Sequence, residues 1–470
     1  MATINSAFNL MSQALEADQS ALNVVANNVA NANTTGYTQQ TPNWQENSPV
    51  VIGGVSFGAG VTETGATSVR DRVLEERLNQ QQQLASASGS RLSALNTLQA
   101  LFTPNSGSAS SSAGDIGTDI TSFFNSFSSL EANPTNNPLR EQVLSSATTL
   151  AGDVSNVAAS LNSQRSALDQ EAAGVTSQVN ALTGAIAQLN QQIKSISPGA
   201  DAGTLEDQRQ QDLSQLSKLI GINQVTTENN GLSVTTASGQ LLVSESSNFQ
   251  ITSGMVNGVS HFFVGATDVT AQLASGGGQL GGYLTARDQD IPSVMGSLDQ
   301  LAWSVSTQVN KLNNAGTDLT GVNGNAGNIF SEPMQVAGSA ASMSVVMTDP
   351  SHIAAASLGQ GTGDNSNATA MAALASQALI NGQTPTNFYS NFVSTLGSTV
   401  SGVQTENTAQ SASVTQLQTQ KDALSSVNLN DEASAMTTLE RSYQAASQVF
   451  SMIDKIMASA LNLGEQTTVG

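Results

Sequence analysis

The chain has no cysteine among its 470 residues. That rules out a disulfide framework and leaves no basis for a zinc-thiolate site, so each folded part must be held by ordinary burial. Histidine is almost absent as well. His261 stands in a strand-like run and His352 follows Asp349-Pro350, and neither has a metal-ligand spacing such as His-Glu-x-x-His. Basic residues are scarce, 14 Lys+Arg against 35 Asp+Glu, giving a formal net charge of -21. Nucleic acids and anionic membranes both require a basic footprint, so neither is expected as a partner. Aromatic residues make up 4% and charged residues 10%. No stretch approaches the roughly 20 apolar residues of a membrane span. The opening MATINSAFNLMSQALEADQS lacks the basic n-region and apolar h-region of a cleavable signal. These absences alone would place the chain in the cytoplasm. Ser, Thr, Asn, Gln and Ala fill the gap and make a neutral, hydrogen-bonding surface suited to packing against like subunits.

The strongest periodicity lies at the two ends. Ile4, Phe8, Met11, Leu15, Leu22, Val25, Val29 and Ala32 follow alternating steps of four and three, broken only at Asp18. Met436, Leu439, Tyr443, Ala446, Phe450, Ile453, Met457 and Ala460 keep the same rhythm. Sustained 4-3 spacing is a coiled-coil seam. A lone helix leaves such a stripe exposed, so the two ends are expected to pair with each other and with neighbouring subunits. Longer helices lie inside them. Val154 to Ile196 extends the pattern until Pro198-Gly199, Phe388 to Leu424 forms a second, and Val73 to Phe102 a third.

The centre reads differently. Asn229-Asn230-Gly231 and Ser238-Gly239 punctuate short β-prone runs at Leu232–Thr236, Leu241–Val243, Phe249–Thr252 and His261–Val264, a meander of antiparallel strands. A helix around Val294–Leu312, a turn-rich stretch and a strand-like Met343–Met347 follow. Ser106–Ser112 and Gly359–Asn367 are low-complexity loops. The expected fold is mainly α with a β-containing insertion, an elongated multi-domain rod. Residues 1–35 and 430–470 would form a terminal coiled coil, 36–199 and 366–429 a helical rod, and 200–365 an outer β-containing domain.

Candidate chemistry is thin. Gly276-Gly277-Gly278 and Gly281-Gly282 have no Gly-Lys-Ser/Thr to make a phosphate loop and read as a flexible turn. Asp288 and Asp290 read as the solvated start of a helix. Trp44 and Trp303 read as buried anchors. No catalytic, metal or cofactor site is expected.

Ser20 to Gln40, with Asn27, Asn28, Asn31, Asn33, Gly36 and Tyr37, resembles the N-terminal motif of flagellar rod, hook and hook-associated proteins. Alanines there allow close helix approach, asparagine amides offer lateral donors and acceptors, and Gly36 supplies a left-handed residue. Ser426 to Ala433 and Leu439 to Ala446 are similar to that family's closing helix, with Asn430 as N-cap and Asp431 and Glu432 in the favourable first turn. Gly58-Ala59-Gly60-Val61 with Val69-Arg70-Asp71-Arg72, and Leu298 to Ala302 with Val309 to Asn313 and Gly316 to Gly321, narrow the resemblance to the FlgK family of flagellar hook-associated proteins. The resemblance implies a non-enzymatic extracellular subunit, exported by the flagellar type III system. It would stack in a helical tube with its own copies, hook protein and a second hook-associated junction protein, escorted by an export chaperone. The implied assembly interface comprises Leu15, Leu22, Val25, Val29 and the asparagine motif at one end, and Leu439, Tyr443, Phe450, Ile453 and Met457 at the other. Hook or distal rod protein, and a secreted adhesin with a coiled-coil stalk, are the alternatives. Matched heptads at both extreme termini are what an adhesin stalk does not need.

Overall fold

The computed structural model describes residues 2–52, 54–102, 115–196, 201–227 and 230–466. Helix α1 (Ala2–Asn31) leads into a ribbon in which β1 (Gln40–Glu46) pairs antiparallel with β4 (Val61–Ser68). The ribbon is bulged at Asn43/Trp44 and tipped by a small hairpin of β2 (Val50–Ile52) and β3 (Val55–Phe57). Helices α2 (Arg72–Ala100), α3 (Ile116–Ala132), α4 (Asn137–Ile196) and α5 (Gly203–Leu219) follow. At 1.5 Å per residue, the 60 residues of α4 span about 90 Å, which sets the length of the rod. Asp71 accepts from the amides of Val73 and Leu74 and so caps α2.

A four-stranded meander comes next: β5 (Ile222–Thr226), β6 (Leu232–Thr236), β7 (Leu241–Ser244) and β8 (Ser247–Asn248). A separate three-stranded sheet contains β9 (Ile251–Val256), β10 (Val259–Val264) and β11 (Thr267–Asp268). Helices α6 (Thr270–Gly276) and α7 (Gly278–Thr285) lead through a π-helical turn, Ala286–Asp290, into α8 (Ile291–Ala315). Short α9 (Ser339–Ser342) and α10 (Ser366–Ala373) precede the long α11 (Pro385–Ser425) and α12 (Leu429–Gln466).

Two large hydrophobic clusters fill the rod. The first joins α3, the first half of α4, α8 and α11, and the few aromatics concentrate there: Phe123, Phe124, Phe127 and Phe330 are all 1% exposed or less. Phe123 lies 5.4 Å from Phe330, centroid to centroid, and Phe102 meets Phe392 edge-on at 5.2 Å. The second cluster packs the later part of α4 and α5 against both sheets and α7. Residues 200–365, expected as one outer domain, are therefore divided. The part up to Leu284 gathers on α4 between Ala172 and Ala187, while the chain from Ala286 onward joins the first cluster.

Several local expectations are corrected. Met343–Met347 forms no strand but a single bridge between Val345 and Phe330. The stretch opposite it is claimed by Asn310 of α8, whose Oδ1 accepts from the amides of Ile329 and Phe330 at 3.0 Å each, so no regular ladder extends from the bridge. Asp288 and Asp290 do not open a helix, because the helix runs through them. Asp288 receives the Arg287 guanidinium at 2.8 Å and Asp290 receives Arg91 at 2.9 Å. Trp44 is 45% exposed and Trp303 half-buried. The glycine run is a close-packed joint, not a flexible turn: a Cβ on Gly221 would lie 1.7 Å from the Gly276 carbonyl oxygen, and one on Gly282 would lie 2.3 Å from that of Ala87. Ser106–Ser112 and Pro198-Gly199 lie outside the described residues, as does Asn229.

One carboxyl in the bundle is held against other acids. Asp119 on α3 meets Asp153 on α4, with Asp115 close by. Burial first, then the hydrogen bond and charge of Asp153, push its carboxyl from 3.8 up to about 7. The folded state therefore holds this proton more tightly than the unfolded chain between those values, and stability falls as pH rises through that window. Asp119→Asn is expected to flatten the fall. Melting temperatures at pH 5 and pH 8 should lie closer together in the variant than in the parent, and equal gaps would show that the pair does not titrate as described.

Candidate assembly interface

The two terminal helices pair within the chain. α1 packs against α12 along its length, and the rings of Phe8 and Phe450 stand 4.5 Å apart. Leu15 and Leu22 are half-buried and Val25 is buried; on α12, Leu439, Phe450, Ile453 and Met457 are half-buried. Val29 and Tyr443 depart from the expected seam, at 41% and 37% exposed. The most deeply buried residues of α1 are instead Ala17, Ala21, Val24, Val25 and Asn28. All but Val25 share a face with Gln13 and Ser20, which bond Asn47 and Glu63 of the ribbon segment. The ribbon covers a second side of α1 that the heptad pattern did not announce.

Asn28 is the polar centre of this end. Its side chain is 1% exposed and uses every group it has. Nδ2 donates to the Gln40 carbonyl at 2.8 Å and to Glu432 Oε1 at 3.0 Å, while Oδ1 accepts from the Tyr37 hydroxyl at 2.9 Å and the Gln40 amide at 3.0 Å. Gln39 Nε2 adds a second bond to Glu432 Oε1 at 2.7 Å. The Asn28 amide is thus committed inside the chain, not offered to a neighbour. Tyr37 is held by the same cluster, and burial together with Asp207 and Glu432 raises its phenol pKa. Asn31 turns back on Asn27, to its carbonyl at 3.0 Å, and Asn27 and Asn33 are exposed. Gly36 has φ +82, the left-handed conformation foreseen for it. The cap of α12 is Asn428, whose Oδ1 accepts from the Asn430 amide at 3.1 Å, and Glu432 serves the Asn28 cluster.

Asn28→Ala removes a buried amide and leaves Glu432, Tyr37 and the Gln40 backbone without it. A loss of about 2 kcal/mol in the local stability of this end is expected, since each orphaned group costs on the order of 1–3 kcal/mol. Hydrogen exchange at the amides of residues 20–40 reads it directly; unchanged protection would refute the clamp.

Much apolar surface stays uncovered at this end. On α12, Val449, Met452 and Ile456 are 38%, 57% and 56% exposed and lie beside the seam that α1 fills. The β2–β3 hairpin shows Val50, Val51, Val55 and Phe57 to solvent. An isolated two-stranded hairpin is marginal alone. Among the described residues no helix is long and apolar enough to cross a membrane, and no three His, Asp or Glu side chains are grouped to hold a metal ion.

A long helical rod whose two chain ends pair into an incompletely covered helical hairpin defines a structural subunit built for stacking. The comparisons agree with that class. Residues 8–38 match the flagella basal body rod protein model and 423–463 the C-terminal model of the flagellar basal body rod FlgEFG proteins, so both termini are of the flagellar axial type. Between them, residues 105–330 match the helical domain of flagellar hook-associated protein FlgK. Flagellar hook-associated protein 1 of Bacillus subtilis is 26% identical, with 96% of each chain covered. Its counterpart in Salmonella typhimurium is 24% identical over 98% of this chain and 100% of the relative. The solved flagellar hook junction protein FlgK of Burkholderia pseudomallei shares the fold, with a TM-score of 0.65 at 18% identity, covering 75% of this chain and all of that one. The family model and the near-full-length relatives together support the FlgK family, that of flagellar hook-associated protein 1.

Proposed function

We propose that the chain is the structural subunit that assembles at the tip of the flagellar hook and joins hook to filament. The observation that carries this reading is the pairing of two axial-type termini at one end of a rod, with apolar surface on α12 and the ribbon tip left for neighbours. Full-length similarity to hook-associated protein 1 supports the position in the flagellum. Contacts that repeat head to tail without closing generate a helical tube. The partners on this reading are further copies of the chain, hook protein below and a second hook-associated junction protein above. An export chaperone would act before assembly. The subunit would leave the cell through the flagellar type III channel and act outside it. The terminal helices, the helical rod and the β-containing segments would serve as axial, connecting and outer regions.

Removing the chain from its own cells tests this. Hooks should be complete, filaments missing, and filament protein released into the medium; the intact chain supplied from a second copy should restore filaments. Normal filaments in its absence would refute the junction role, and incomplete hooks would place the chain in the hook or rod instead.

A further inference from the structure

Among the described residues, Met334 is the most exposed large apolar side chain, at 103%. The loop that carries it, 331–338, is fastened at both ends. At one end the Ser331 amide donates to the Ser344 carbonyl at 2.8 Å, and the Ser331 hydroxyl to the Ser342 carbonyl at 2.7 Å. At the other end the Asp299 carboxylate of α8 accepts from the amides of Gly338 and Ala340, at 2.9 and 2.8 Å. Pro333 fixes its own φ just before the methionine. A long apolar side chain is thus held in water on a firm support, which lowers the ordering cost of docking it.

The other flank of α8 has a complementary hollow. A cleft of about 150 Å³ opens to solvent there between α2, α8 and α11. Its floor is apolar, made by Leu95, Val294, Phe392 and Leu396, and its rim carries the hydroxyls of Ser297 and Thr395. Those hydroxyls donate to carbonyls of their own helices at 3.1 and 2.8 Å, which leaves oxygen lone pairs to accept. Asp290 is the only charge among the lining residues, and Arg91 matches it with two bonds of 2.9 Å. The cleft is therefore neutral. An apolar void of this order admits a benzene-sized group, and a flexible thioether tail adapts to such a space.

At 3.6 residues per turn, Asp299 stands about 200° round α8 from Ser297 and about 3 Å further along the axis. The methionine loop and the cleft thus lie at one level of the rod on opposite flanks, so a chain does not fill its own cleft. We propose that Met334 of one copy seats in the α2–α8–α11 cleft of the next, as a side-to-side contact of the tube. A projection and its complement on opposite flanks make a heterologous contact that every added copy repeats. An apolar anchor inside a polar rim is where interface energy concentrates. Gln335, exposed beside Met334, brings an amide to the rim oxygens. This inference rests on the junction reading and names one lateral contact within it.

The absence of cysteine lets two introduced thiols report the contact. Met334 and Thr395 are both exposed, so Met334→Cys and Thr395→Cys leave the monomer core untouched. Hook–filament complexes from cells carrying only the double variant should, after mild oxidation, yield a ladder of disulfide-linked multimers that collapses on reduction. The free double variant should stay monomeric, and neither single variant should give a ladder. Complexes that contain the double variant but give no ladder overturn the contact. So does a ladder from Met334→Cys alone, or a product linking the chain to a different protein. A second measurement needs no thiol. Met334→Asp should keep parent-like melting and secretion yet be lost from the complexes, because its charge meets the apolar floor only in a neighbour, whereas Met334→Leu should be retained. Parent-like incorporation of Met334→Asp overturns the seat. The parent chain is located in the same preparations. Its absence from the junction removes the junction reading and this contact with it, while its presence beside an unlinked double variant removes the contact alone.

Discussion

Arg140→Ala is expected to lower unfolding stability by about 3–5 kcal/mol, the cost of two orphaned buried carbonyls together with a void. Arg140 is 1% exposed, near the start of α4. Among the described residues it makes no direct ion pair. Nε and Nη2 donate to the Pro134 carbonyl at 2.9 and 2.6 Å, and Nη1 donates to the Ile353 carbonyl. One guanidinium therefore ties the α3–α4 turn to a segment 213 residues later. Burial pushes its pKa down, and the attraction of Asp318 offsets part of that. Truncation leaves buried carbonyls unpaired and a void in a close-packed site, two costs that add. Arg140→Lys should recover only part, because a single ammonium does not reproduce the fork that spans both carbonyls. Urea unfolding with the slope held at the parent value measures the loss. A change below about 1 kcal/mol would mean that water replaces the guanidinium without strain.

The helices were legible because their buried faces are apolar and periodic. Val154 to Ile193 of α4 and Leu396 to Val403 of α11 are buried at the spacing their sequence announces. The ribbon was not, because Gln40–Glu46 is exposed over most of its length and contains Pro42, so no apolar alternation marks it. Helix α5 was hidden for the opposite reason. Its buried face carries Glu206, Asp207 and Arg209, which read as a solvated stretch until their partners are known. The terminal site was half visible. Heptads put Phe8 and Phe450 on the two seams, which the structure brings together, but Asn28 meets Glu432 across 404 residues, and no local pattern encodes a polar pair of that kind. Gln39 and Gln40, which complete the cluster, carry no signal beyond following Tyr37.

Met452→Asp and Ile453→Asp separate the contacts α12 makes inside the chain from those it makes in a tube. Ile453 lies half-buried on the side that α1 covers, so a carboxylate there disturbs the intrachain pair and any contact built upon it. Met452 is 57% exposed and next to Ile456 at 56%, on a flank that nothing among the described residues of the monomer covers. An aspartate at Met452 stays in water in the monomer, where surface changes lie within about 0.5 kcal/mol. In the tube, a neighbour seated on Val449, Met452 and Ile456 would bury that charge without a partner, at an effective cost of several kcal/mol per subunit. The penalty repeats at every position of the assembly, so incorporation should fail outright. Met452→Asp cells are therefore expected to secrete the chain, retain parent-like monomer melting and yet lack filaments, with filament protein leaking into the medium. Ile453→Asp should also lack filaments but show, in addition, faster hydrogen exchange in α1. Ser451→Asp, exposed and on the side of α12 away from both faces, should assemble. Normal filaments in Met452→Asp cells would show that this flank faces solvent in the tube, leaving the seam with α1 as the only apolar contact of the last helix that matters.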